Sequence, residues 1–163
     1  MWFFMYACYA MSVLSLILFT LCGLQGYFQF TIGQANHPTL ALLFVIVYLF
    51  TQTLVIFFFV GMGVSIRDFT KEKNLDNRFH KQSIAIKMKI YPPLLLNMLL
   101  VMVLFISGGA VDTHRIPGWS HGVLFLVCFS DYVRVLIIEH VAFRDNVSIV
   151  LAMSGMNAAL KKI

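Results

Sequence analysis

The chain has 163 residues, 60% of them hydrophobic and only 12% charged, with a mean hydropathy of +0.86. A soluble domain carries about a quarter charged residues, so this composition excludes a water-soluble globular fold. The net charge of +5 comes from basic residues clustered in one loop and the tail, a pattern of membrane orientation rather than of nucleic-acid binding.

No Lys, Arg, Asp or Glu precedes Arg67. That stretch is long enough for two membrane spans, since one needs about 20 residues. A β-barrel would alternate apolar and polar residues in segments of about 10, and these runs do not alternate. The expected fold is all-α and integral to the membrane: a four-transmembrane-helix bundle, multi-pass, forming one membrane domain over residues 1–163. The N-terminus lacks a basic region, and its apolar run exceeds the 7–15 residues of a signal peptide core. It reads as a retained first span. Cys8, Cys22 and Cys128 all lie in apolar runs, without a CxxC, and read as buried small hydrophobes.

Span 1 is expected over 2–30. It opens on Trp2, Phe3, Phe4, Tyr6 and Tyr9 and closes on Tyr27, Phe28 and Phe30, two aromatic clusters of the kind found at membrane interfaces. The Gly33 to Pro38 segment breaks the helix. Span 2 follows over 39–66, with Thr51, Gln52 and Thr53 at its midpoint. A basic loop is expected over 67–89, with the mixed segment Ile84 to Ile90 either lying on anionic lipid or extending span 3. Pro92 and Pro93 mark the start of span 3, over 92–110, because proline is tolerated in a first helical turn. Asn97 is its one strongly polar residue. Span 4 starts at the interface anchor Trp119 and runs over 119–143.

Charge asymmetry sets an expected orientation. Seven Lys and Arg residues lie between spans 2 and 3, and Arg144, Lys161 and Lys162 lie in the tail, against Arg115 alone on the other face. By the positive-inside rule, both termini are expected on the cytoplasmic side of a cell (inner) membrane.

Two polar constellations stand out. At about 1.5 Å rise per residue, Thr20, Gln52, Asn97 and Asp131 fall at one depth, about 18–20 Å below the outer interface. Arg134 lies one turn from Asp131 on the same face. A charge near the bilayer centre costs about 2.5–3.5 kcal/mol, so Asp131 and Arg134 are expected to pair. This intramembrane belt of Gln52, Asn97, Asp131 and Arg134 reads as a proton or quinone site, or as a staple that holds helices or a partner. Glu139 and His140 read as interfacial at the inner end.

The second constellation is His37, Asp112, His114 and His121 at the outer face. Imidazole and carboxylate suit zinc, copper or non-haem iron. His37 and His121 could alternatively be the axial ligands of a b-type haem between spans 2 and 4. With little chain outside the membrane and 16 phenylalanines, the leading functional expectation is a non-catalytic accessory subunit of a larger membrane complex of redox or metalloenzyme type. Its partners would be the lipid bilayer and other membrane subunits, with no nucleic acid. The alternatives are a four-helix electron-transfer subunit binding haem b or quinone, and a small membrane protein binding a transition metal.

Overall fold

A computed structural model describes residues 2–155; the tail lysines Lys161 and Lys162 lie outside the described residues. The fold is all-α: α1 (Trp2–Phe28), α2 (His37–Glu72), α3 (Arg78–Asp112) and α4 (Gly118–Met153). All four are long and apolar enough to cross a membrane. Each helix packs on the next in the chain, and α1 touches α4 more lightly.

The helices follow from composition. Leu, Val, Ile and Phe are frequent across the four runs, and the α-helix pairs its backbone polar groups within its own segment, as lipid requires. Asn36 caps α2: its Oδ1 accepts from the Thr39 backbone N–H at 3.1 Å and from the Thr39 hydroxyl at 2.7 Å. Pro38 sits in the first turn, where its missing N–H costs nothing. Pro117, extended at φ −72° and ψ 143°, brings the chain into α4. The short α1–α2 connection turns at Gly33, whose φ of +63° is open to glycine without strain.

Three helices run further than the spans read from sequence, α4 continuing ten residues past 143 to Met153. Residues 67–72 continue α2 and residues 78–89 belong to α3, leaving only 73–77 as connection. Pro92 and Pro93 lie inside α3 rather than at its start. They withhold N–H groups from the carbonyls four residues back, yet the helix carries on because Ser83, Ile86 and Ile90 below them are buried. Lys87 also crosses α2 at Gly63, where any Cβ would collide with its side chain. At about 1.5 Å per residue, α2, α3 and α4 are about 52–54 Å long and α1 about 40 Å. The three longer helices therefore exceed the roughly 30 Å hydrocarbon layer.

The core is divided along its length. Towards the His37 end, Phe19, Phe44, Val45, Tyr48, Val101, Leu104, Cys128 and Tyr132 pack together. Towards the basic end, Met5, Val55, Phe58, Phe59, Ile90, Leu94, Val135 and Phe143 form a second cluster. Between them lie buried polar side chains from every helix: Ser12 and Ser15, Thr51 and Gln52, Asn97, and Glu139.

Candidate cofactor cavity and polar core

At the His37 end the four helices line a largely apolar, half-open cavity of about 1490 Å³. Ligand pockets usually measure about 300–1,000 Å³, so this one admits a large guest. His37 and His121 are on its wall, with Phe19, Phe44, Phe125 and Trp119 among its apolar lining. The two imidazoles face each other nearly at right angles, with ring centroids 6.3 Å apart and planes inclined by 82°.

Local chemistry fixes each ring. His37 opens α2, directly after the Asn36 cap, and its Nδ1 lies 3.8 Å from the Cys22 sulfur. Gly26 gives it room, because a Cβ there would stand 3.0 Å from His37 Cε1. Gln25 donates to the Ala35 carbonyl at 2.8 Å, which ties α1 to the loop that delivers His37. His121 lies in the first turn of α4. Its Nδ1 is 2.8 Å from the Ser107 hydroxyl, which lies 2.7 Å from the Leu104 carbonyl. A serine hydroxyl has one proton to donate. Donated to Leu104, it leaves the oxygen as an acceptor, so His121 carries its proton on Nδ1. Its Nε2 then keeps a free lone pair, the arrangement by which a metal-bound histidine is oriented from behind.

Of the four outer residues, His37 and His121 come together. Asp112 lines the same cavity from the end of α3 but is exposed, and His114 sits beyond it in the connection with φ +57°. Among the described residues, no three His, Cys, Asp or Glu side chains gather with the spacing to hold a metal ion. The outer set is thus a histidine pair at a cavity.

The residues of the expected polar belt divide into two groups. Asn97 is fully buried; it accepts from the Tyr48 hydroxyl at 2.6 Å and donates to Asp131 Oδ2 at 2.9 Å and to the Cys128 carbonyl at 3.3 Å. Arg134 holds Asp131 Oδ1 through Nε at 2.9 Å and Nη2 at 2.6 Å. Gln52 joins a different group. It is buried beside Glu139 and Tyr132, yet neither end of its amide makes a well-formed hydrogen bond. Thr20 stands outside both, exposed and bonded to the Leu16 carbonyl of its own helix.

Glu139 corrects the sequence reading. It is not interfacial but 2% exposed. Ser12 donates to its Oε2 at 3.4 Å, while Oε1 is buried with no partner. Around it, Tyr132 donates to the Ser12 carbonyl at 3.3 Å, and Ser15 meets Thr51 at 2.9 Å. The signal was present in α1, where Met5, Cys8, Ser12, Ser15, Phe19 and Cys22 recur every three or four residues and are all buried. Ser12 and Ser15 lie in the middle of that stripe. A buried face with two hydroxyls at its centre announces a polar partner from another helix.

No family model, curated protein or solved structure matches the chain. Fold and site together describe an all-α protein with four helices long and apolar enough to cross a membrane and a histidine pair on the wall of an apolar cavity.

Proposed function

We propose that the protein binds haem b through His37 and His121 and serves in electron transfer within the membrane. The observation that supports this reading is the 6.3 Å separation of the two ring centroids. An ion held between two opposed imidazoles, with nitrogen–metal contacts of about 2.0 Å and about 1 Å from each nitrogen to its ring centre, sets the centroids about 6 Å apart. The free Nε2 of His121, the apolar walls and the cavity's size suit a flat macrocycle. Two protein ligands are enough, because the macrocycle supplies the others. Haem supplies one-electron chemistry, with a potential set by its axial ligands and their hydrogen bonds. This chain's part is to hold the rings, exclude water and orient His121 through Ser107.

The cavity favours this reading over that of an accessory subunit without a cofactor. The ten-to-one bias of Lys and Arg supports a cytoplasmic basic end, with both termini on that side, and we propose a cell (inner) membrane as the site. The histidine pair then lies near the outer face.

The test is a reduced-minus-oxidised optical spectrum of the protein purified from its membrane, beside His37→Ala and His121→Ala. A bis-histidine haem spectrum in the wild type, lost in both variants, is the expected result. Wild-type protein that is colourless and takes up no haem when reconstituted overturns the proposal.

A further inference from the structure

Glu139 brings an acid into the bundle without a base. It is 2% exposed, and among the described residues no Lys, Arg or His pairs with it. Arg134 is held by Asp131, and the next imidazole in sequence, His140, bonds to Tyr9 at the surface. The titratable side chains near Glu139 are Cys8 and Tyr9 of α1, Tyr48 of α2 and Tyr132 of its own helix. Thiols and phenols carry no charge at neutral pH. A carboxylate so placed is too costly to keep ionised unless something positive joins it.

The side chains around it offer oxygen. Ser12 and Ser15 come from α1, Gln52 from α2 and Tyr132 from α4, and all four are buried. They do not close on one another as the rest of the polar layer does. Asn97 holds Tyr48 at 2.6 Å and Asp131 at 2.9 Å. Here Ser12 stands 3.4 Å from Glu139 Oε2, and the Tyr132 hydroxyl 3.3 Å from the Ser12 carbonyl, beyond the roughly 2.5–3.0 Å of a good O–H···O bond. Glu139 Oε1 and both ends of the Gln52 amide have no partner, although Gln52 lies beside Glu139 and Tyr132. Two neighbouring buried polar side chains left unspent in this way call for a guest between them.

The guest is of atomic size, since none of these five residues lines either large cavity. It is positive, to offset the carboxylate, and it carries a single charge, because one carboxylate offsets one. Carboxylate, amide and hydroxyl oxygens are the ligands of hard cations; Ca²⁺ gathers about 6–8 of them and Mg²⁺ keeps several waters, more than this small group supplies or admits. We infer that Glu139, Gln52 and Ser12, with Ser15 and Tyr132 beside them, form a binding site for one sodium ion. The ion is held by the Oε1 atoms of Glu139 and Gln52 and by the Ser12 hydroxyl. It joins α1, α2 and α4 inside the polar layer, in a bundle where α1 touches α4 only lightly.

Equilibrium dialysis of the purified protein against radioactive sodium, in choline chloride at mildly alkaline pH where protons compete least, tests this. One sodium ion per chain is expected. Glu139→Gln, which keeps the shape of the side chain, is expected to abolish binding, and Gln52→Leu to weaken it at least tenfold. Sodium should also raise the thermal midpoint of the wild type over its value in choline alone and leave that of Glu139→Gln unmoved. Wild-type protein that takes up no sodium, its carboxyl protonated instead, overturns the inference. So does binding that survives Glu139→Gln, or that is as tight in Gln52→Leu as in the wild type. Should Glu139→Gln fail to fold, Gln52→Leu decides, because the Gln52 amide makes no bond whose loss would unfold the chain. Haem binding does not enter the readout.

Discussion

Asn97 of α3 donates an amide hydrogen to Asp131 of α4 at 2.9 Å, while its carbonyl oxygen accepts from the Tyr48 hydroxyl of α2 at 2.6 Å. One short side chain therefore satisfies partners on two other helices. Asn97→Leu leaves both partners buried without it. We expect a loss of about 1–3 kcal/mol, the cost of orphaned buried polar groups, seen as a lower thermal midpoint in detergent.

Gln52 predicts the opposite. Its amide is as buried as that of Asn97 but makes no well-formed hydrogen bond. Replacing an unsatisfied buried polar group by an apolar one of similar shape is neutral or stabilising. Gln52→Leu should leave the thermal midpoint unchanged or raise it. A fall as large as that of Asn97→Leu would show that the amide is paired after all.

Asp131 and Arg134 should behave as a unit. Asp131→Ala alone strands a guanidinium in an apolar surrounding, whereas Asp131→Ala with Arg134→Ala removes both charges. Breaking one partner of such a pair costs more than deleting both. The single variant is expected to unfold at a lower temperature than the double, and equal midpoints would mean that the pair is open to water.

Ser107 acts on the histidine pair from behind. Ser107→Ala removes the group that holds the His121 proton on Nδ1. Losses of such supporting partners weaken metal binding by about 10–100-fold. Titration of haem into cofactor-free protein should show that weakening for Ser107→Ala, and loss of the bis-histidine spectrum for His121→Ala. An unchanged affinity in Ser107→Ala would remove the serine from the site.

The four helices were legible because lipid demands apolar runs of about 20 residues, and each of the four is longer than that. Their ends were less so. The basic residues of 78–89 look like a loop, yet every third or fourth residue there is buried, and tertiary packing carried α3 past Pro92 and Pro93. His37 and His121 were legible as a facing pair because each stands next to a helix start. Gln52 and Asn97 share a depth, but depth along a helix does not give rotation about it. Gln52 turns towards Glu139, and Asn97 towards Asp131. Glu139 itself was hidden by its neighbour: His140 beside it is exposed and bonded to Tyr9, and one residue of helical rotation separates surface from core.

The polar layer between the two apolar clusters bears on how the bundle assembles. Among lipid tails an apolar helix slides past an apolar neighbour at little cost, since Leu against Leu and Leu against lipid are nearly equivalent. A slip of one turn, about 5.4 Å, would keep hydrophobic contact but carry Ser15 away from Thr51, Ser12 from Glu139 and Asn97 from Asp131. The layer works as a vernier that marks one vertical alignment of four otherwise sliding rods. It thereby sets the height at which His37 and His121 meet, 14 residues along α2 from Thr51 and 18 along α4 from Glu139.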